Sequence, residues 1–416
     1  MGDKYSWSED NIPVIDVHSI KKHNVLREYL KQYILVVGAN PRSEKMKITF
    51  IDGFSGGGIY QKPDGNVCHG SPLIFLEASR EAEAELNISK HKGFKLDAHF
   101  IFLDKQAQCI NFLKNLLEKK GYHNQFNRSI YFYNGVFELH INNIIKHIKK
   151  RKGTANRCIF FLDQYGYSDV PLSSIQKIFL TFNKAEVILT FYVDYLIDYL
   201  SNTPQCHQVL KKAGLTFDLD QLDDIKKQKK WKSVIQKHLY QNIISKSGAR
   251  YLTNFFIKSN DSHKSYWLIH LSMHPTARNE MQKLHWKLKN HFSHEGKAGL
   301  WMLGYNSGVD GFDQQQDFLF TDIDEKLNHK TLLAEIPPEI PKGGILFEHF
   351  VSAQCNFTPS TSEMLNKAIG ELYANGELRI FTKNGNLKRP HSLINKDDLI
   401  KREPQMLLDL NFKNLF

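Results

Sequence analysis

The stretch Ile48–Tyr60, Ile-Thr-Phe-Ile-Asp-Gly-Phe-Ser-Gly-Gly-Gly-Ile-Tyr, constrains the fold of this chain more than any other. A β-favouring run ends in Asp52 and gives way at once to Gly53, Gly56, Gly57 and Gly58. In open α/β sheets, ligands sit outside the carboxyl ends of the strands, where glycines let the backbone approach closely. Dinucleotide folds use that place to seat an anionic pyrophosphate on helix N–H groups. An acid at the strand end repels pyrophosphate and suits a ligand carrying an ammonium or sulfonium group. S-adenosylmethionine (SAM) is that kind of ligand. A plain tight turn also explains a glycine cluster, so the flanking segments must decide.

Those segments alternate between strand and helix. Asp16–Val37 carries apolar residues at three-to-four spacing, and its Lys21, Lys22 and His23 read as solvated charges on a helix at the sheet edge. Strands are expected at Lys47–Ile51, Ala98–Leu103, Ser129–Tyr133, Cys158–Leu162 and Ala185–Phe191. Helices are expected from Ser71-Pro72, an N-cap and N1 pair, and over Gln106–Lys120, Phe137–Lys152 and Leu172–Phe182. The basic end Lys149–Lys152 reads as a solvated helix terminus. The second strand ends in Asp104, placed to accept hydrogen bonds from ribose hydroxyls. The third ends in Asn134-Gly135. Cys158–Leu162 is apolar throughout, as a central parallel strand should be, and leads into Asp163-Gln164-Tyr165-Gly166. The alternation implies an α/β fold with a doubly wound, Rossmann-like sheet.

From about 194 to 250 the alternation is interrupted by a basic helical insertion. Lys226 and Lys229 beside Trp231 suit gripping phosphates and stacking a base. An exposed amphipathic helix explains them too, and is the plainer reading. A further strand, Tyr266–Ser272, and a helix, Pro275–Asn290, follow. His285, His291 and His294 lack a carboxylate or thiol to complete a ligand set, so no metal site is expected. Ile323–Lys342 carries Pro337, Pro338 and Pro341 and reads as a linker between a domain over 1–322 and another over 343–416. In the latter, a helix over Ile345–Gln354 precedes the capping box Ser360-Thr361-Ser362-Glu363 and a second helix ending near Gly376. A strand over Glu377–Thr382, a turn at Asn384-Gly385 and Leu387–Arg389 complete the outline of a winged helix-turn-helix. Glu363, Asn366, Lys367 and Glu371 give the second helix a mixed surface, whereas Arg379, Lys383, Lys388 and Arg389 make the wing basic. Nucleic-acid contact and protein docking both remain open for it.

The net charge of +11, from 55 basic and 44 acidic residues, is spread along the chain and is compatible with a polyanionic partner. Five scattered cysteines without a CxxC pair suggest reduced thiols in a cytoplasmic protein. Met1–Asp10 is polar, without an apolar leader core, and reads as mobile. No apolar run reaches the length of a membrane span, so no membrane association is expected.

Lys22-His23 with Leu26 and Tyr29-Leu30, then Asp52–Gly58, Gly70-Ser71-Pro72 and Asp163–Gly166, together resemble the three-Cys-motif partner (TcmP) family. These are bacterial and phage-associated proteins with a methyltransferase-like domain, often followed by a winged helix. The resemblance implies SAM as cofactor, with Asp52, Phe54, Ser55, Gly56 and Gly58 in the SAM-binding motif. It implies Asp104 as the ribose-binding acid and Asn134 as the adenine-side turn. It also implies a partner bearing a three-cysteine motif, which this chain's own cysteines do not form.

Asp163–Gly166 falls where methyltransferases acting on the adenine amine carry Asp-Pro-Pro-Tyr. There an acid or amide and a backbone carbonyl bind the exocyclic amine, and the aromatic ring stacks on a flipped base. Asp163 and Tyr165 are thus the expected catalytic pair. Gln164 and Gly166 replace the prolines that stiffen the loop. The expectation is a SAM-dependent methyltransferase acting on a nucleic-acid base amine. The alternative is a non-catalytic SAM-binding or nucleic-acid/protein-binding module of a mobile-element or defence system, which the missing prolines favour. A nicotinamide oxidoreductase is disfavoured by Asp52 and by the absence of a GxGxxG directly after a strand.

Overall fold

The computed structural model describes residues 5–8, 11–151, 156–227, 231–258, 265–288, 298–301 and 320–403. The chain divides into two compact units, Met1–His294 and Glu295–Phe416.

The first unit runs α1 (Val17–Gly38), β1 (Lys45–Asp52), β2 (Ile59–Gln61), β3 (Val67–His69), α2 (Ser71–Ser89), β4 (Lys95–Asp104) and α3 (Ala107–Lys119). It continues with β5 (Ile130–Asn134), α4 (Phe137–Lys150), β6 (Cys158–Leu162), α5 (Leu172–Thr181) and β7 (Ala185–Phe191). The insertion follows as α6 (Val193–Tyr199), α7 (Pro204–Ala213), α8 (Leu222–Lys226) and α9 (Trp231–Ser247). The unit ends with β8 (Tyr251–Lys258), β9 (Ser265–Ser272) and α10 (Pro275–Lys287).

Seven of these strands form one sheet in the order β5-β4-β1-β6-β7-β9-β8. The first five in that order are parallel, and β9 runs antiparallel to both of its neighbours. A parallel sheet closed by a reversed hairpin at one edge is a doubly wound, Rossmann-like architecture. β1 is the middle strand of the five parallel ones, with Ile48, Phe50 and Ile51 at most 1% exposed. The chain leaves β1 for β4 on one side and returns to β6 on the other. The carboxyl end of β1 is therefore a topological switch point, where such sheets bind their ligands. α1 packs on α2 and α10. Its Val25, Leu26, Tyr29, Leu30 and Ile34 are buried.

Three local features depart from the sequence reading. Part of the polar excursion after the glycine loop folds as a small β2–β3 hairpin. β8 was not anticipated, because its Thr253 and Asn254, both buried, break the apolar signal. At the end of α4 the basic run is not wholly solvated. Lys149 and Lys150 are exposed, but Arg151 is 11% exposed and pairs with Asp97 at 2.6 Å. It also donates to the Ile48 carbonyl and the Thr49 hydroxyl, tying the loop after α4 to β1 and β4.

The second unit contains α11 (Asp322–Glu339), β10 (Ile345–Leu346), α12 (Phe347–Gln354), α13 (Ser362–Ala374), β11 (Leu378–Phe381) and β12 (Leu399–Arg402). The expected linker is α11. It opens on a capping box between Thr321 and Asp324, and it buries Leu332 and Ile336 with Phe350, Leu365, Ile369 and Ile400. Pro337 and Pro338 lie in its last turn, so they end the helix instead of preventing it. The three strands form an antiparallel sheet in the order β10-β12-β11. Gly385 (φ 81°) makes the expected tight turn, closed by the Thr382 N–H on the Asn386 carbonyl at 2.8 Å. The strand that returns along β11 is β12, whereas Leu387 makes a single bridge to Phe381. Among the described residues, no helix is long and apolar enough to cross a membrane.

Candidate functional site

A cavity of about 400 Å³ opens at the carboxyl ends of β1, β4 and β6, with Gly53, Phe54, Gly56, Asp104, Asp163 and Tyr165 on its wall. Its size suits a small-molecule site. The wall is built by backbone geometry first. Gly56 has φ +56°, and a Cβ there would lie 2.7 Å from the Trp7 ring, so the loop needs glycine for conformation and for space. The Gly56 N–H donates to Asp104 Oδ2 at 3.0 Å, and the Gln106 N–H donates to Asp104 Oδ1 at 2.9 Å. Asp104 thus fixes the glycine loop and the start of α3 together.

The expected cofactor residues separate into wall and support. Phe54, Gly56 and Asp104 face the cavity. Asp52 and Ser55 are at most 1% exposed and lie beneath it. Gly58 (φ +84°) accepts the Gly70 N–H at 2.8 Å and leaves no room for a Cβ beside Leu113. Asn134 donates to the Asp104 and Lys105 carbonyls, both at 3.1 Å, while its neighbours Gly135, Val136 and Phe137 reach the wall.

Burial drives the Asp52 carboxyl up to about 7, only partly offset by the Ser71 side chain and the Phe54 N–H. Its Oδ1 accepts from the Phe54 N–H at 3.2 Å. The reading of Asp52 as a direct partner of a cationic ligand is therefore corrected: it is a buried acid under the loop. Between the ordinary carboxyl value and about 7 the folded state holds a proton that the unfolded chain releases. This contribution to stability is complete at low pH and is lost as pH rises through about 7, a loss of about 4 kcal/mol. Asp52→Asn is expected to flatten that decline, read as a smaller drop in urea midpoint across the window.

Asp163 ends β6 and is 20% exposed. Both its oxygens accept from the Lys22 ammonium, at 2.5 and 2.7 Å. Burial pushes its carboxyl up, but the Lys22 ammonium outweighs burial and holds it below the usual carboxylate range. Lys22 is 3% exposed and His23 7%, which overturns their reading as solvated charges. Burial lowers His23 to about 4, so its imidazole is neutral. Tyr165 is 55% exposed at the mouth, its ring 5.3 Å from that of Tyr192.

Gln164 supplies the stiffness that the missing prolines would give. Its side chain is 1% exposed. It donates to the Thr190 carbonyl of β7 at 3.1 Å and accepts from the Asp169 and Val170 N–H groups at 3.0 and 2.9 Å. The loop after β6 is therefore stapled at both ends. Gln164→Ala would strand these groups, at about 1–3 kcal/mol for each one left unpaired. It is expected to lower methyl transfer more than SAM affinity, measured as turnover against calorimetric binding.

The segment read as mobile also builds the site. Trp7 is 4% exposed, lies against Gly56 and Gly57, and donates to the Ile59 carbonyl at 2.7 Å. Tyr5 donates to Asp16 at 2.9 Å, and both line the cavity. The signal for Lys22 was its place on the apolar stripe of α1, beside Val25, Leu26 and Tyr29. The Tyr5–Trp7 segment gave only its aromatic content.

Several expected nucleic-acid contacts are engaged elsewhere. The Lys226 ammonium donates to the Leu200 carbonyl at 2.7 Å and lies 5.8 Å from the Trp231 ring centroid. Lys232 lies 5.6 Å from that centroid. Lys229 lies outside the described residues, as do His291 and His294. Lys388, expected on the wing surface, is 8% exposed and paired with Asp398 at 2.6 Å, which removes it from that surface. Arg379 pairs with Glu403 at 2.6 Å, and Lys383 is exposed at the turn.

No family model matches the chain, and no curated protein does. Among solved structures it is similar to Legionella pneumophila protein LPL1258, at 12% identity and a TM-score of 0.38, over 67% of this chain and 93% of that one. It is similar to WbdD at 12% identity and a TM-score of 0.31, over 60% of this chain and 40% of that one. An O-methyltransferase from Bacillus cereus in complex with SAH gives 11% identity and a TM-score of 0.29, over 59% and 80%. All three likenesses are remote, and the strand order itself defines the fold.

Proposed function

We propose that the first unit is a SAM-dependent methyltransferase whose acceptor is a nucleic-acid base amine. The observation that carries this reading is the pairing, in one cavity, of a glycine loop locked onto Asp104 with Asp163 and Tyr165 at its other end. The cavity fits the cofactor chemically. Gly56 gives close backbone approach, Asp104 a ribose acceptor, and Val136 and Phe137 an apolar wall. Carboxylates rather than amines dominate its polar lining, as a sulfonium requires. When bound, SAM supplies an electrophilic methyl group. The chain's own residues then work by positioning. The ionised Asp163 accepts an N–H of the attacking amine, and Tyr165 offers a ring face to its base.

The resemblance to the TcmP family supports the same reading and adds a three-Cys-motif protein as partner. A second reading, a non-catalytic SAM-binding module with a winged-helix-like unit that docks a protein, is favoured by one observation. Lys388 and Arg379 of the wing are held in ion pairs. Calorimetric titration of the full chain with SAM tests the shared premise. Transfer of tritiated methyl from SAM to unmodified RNA and single-stranded DNA pools then separates the two. Micromolar SAM binding with no label transferred would replace the enzyme by the module.

A further inference from the structure

We propose that Lys22 is a positioning residue for the methyl acceptor, clamping the Asp163 carboxylate in one orientation as a fixed hydrogen-bond acceptor. The inference rests on the methyl-transfer reading of this cavity and goes beyond it, because it assigns the clamp to a helix far from the loop in sequence. Lys22 comes from α1 and Asp163 from the end of β6, 141 residues later. The ammonium reaches both carboxylate oxygens, so it sets the rotation of the carboxylate as well as its charge. A buried lysine without a partner is costly, and here the partner is an acid on the cavity wall. The clamp is backed by the Tyr266 ring, 5.5 Å from the ammonium.

In an amine methylation the nitrogen lone pair forms the new N–C bond as the C–S bond breaks, and the sulfur leaves as a neutral thioether. The nitrogen then carries the positive charge and sheds its proton to water. A carboxylate already held by an ammonium is a poor base, yet it orients an N–H well. Asp163 so held directs the lone pair without taking the proton in the transfer step. The groups that face Asp163 are Lys22 and His23 from α1, Tyr60 from β2, Thr190 and Tyr192 at the end of β7, Tyr266 from β9, and Tyr5. Asp52 adds like charge from beneath when ionised. Burial holds the four tyrosines neutral, foremost among the causes that raise them. His23 is neutral as well, which leaves Lys22 as the cation that fixes the carboxylate among these groups.

Two measurements on the full-length chain test this. In the first, carbon-13 NMR of protein labelled at aspartate carboxyl carbons follows the Asp163 signal, identified by its loss in Asp163→Asn. Lys22→Met is expected to move its titration up by about 1–3 pH units, and Lys22→Arg to leave it low. In the second, transfer of tritiated methyl to the RNA and DNA pools is followed against pH. Lys22→Met is expected to keep SAM affinity, to lose transfer at acidic pH, and to regain part of it as pH rises. Lys22→Arg should retain most transfer. An unmoved Asp163 titration in Lys22→Met overturns the proposal, and so does an unmoved pH profile. Should the wild type bind SAM and label no nucleic acid, the methyl-transfer reading falls, and the carboxyl titration alone decides whether Lys22 holds Asp163.

Discussion

Asp104→Ala is expected to weaken SAM binding by about a hundredfold or more. In the folded protein Asp104 accepts two backbone N–H groups, from Gly56 in the glycine loop and from Gln106 at the start of α3. Hydrogen bonds to a charged group contribute about 1.5–3 kcal/mol each, so losing two relaxes the loop that a cofactor must meet. The ribose contact expected of this acid is lost in the same substitution. Calorimetry beside the wild type reads the effect directly. Unchanged affinity would mean that the cofactor, if bound, sits elsewhere.

The second large effect is expected from Asp163→Ala, which should abolish methyl transfer while leaving SAM affinity within about threefold. A complication comes from Lys22, which is 3% exposed and loses its partner. Stranding a buried charge costs about 3–5 kcal/mol, so the single variant should also melt earlier. Lys22→Met combined with Asp163→Leu replaces the ion pair by apolar groups and is expected to recover most of that stability. It should recover no transfer. Wild-type transfer in either variant would show that the acceptor is oriented by other groups.

The legible part of the fold was the part built from continuous local signals. β6 and β7 have the boundaries expected from sequence, because every residue of both strands is buried and each stretch is bounded by turn or polar residues. Asp104 was placed by its strand end alone. What escaped depends on contacts distant in sequence. Lys22 looks like any surface lysine until α1 lays it against a strand end 141 residues away. Lys388 looks like a wing cation until Asp398 closes over it. Prolines misled in both directions. Pro337 and Pro338 suggested a linker where Leu332 and Ile336 anchor a helix. Their absence around Gln164 suggested a slack loop where side-chain hydrogen bonds hold it.

Holding the Asp163 loop by Gln164 instead of prolines changes when that loop takes its shape. Prolines restrain a loop even in the unfolded chain, by removing conformers before any contact forms. Gln164 restrains it only through partners assembled by folding, one of them the Thr190 carbonyl on β7. The rigidity of the Asp163 loop is therefore acquired on folding and held cooperatively with the β6–β7 pair. A local opening at that pair would release the Asp163 loop, while the glycine loop stays fastened to Asp104 on the other side of β1. In amide hydrogen exchange, the Asp169 and Val170 N–H groups would then lose protection together with β7, and the Gly56 N–H would keep its own.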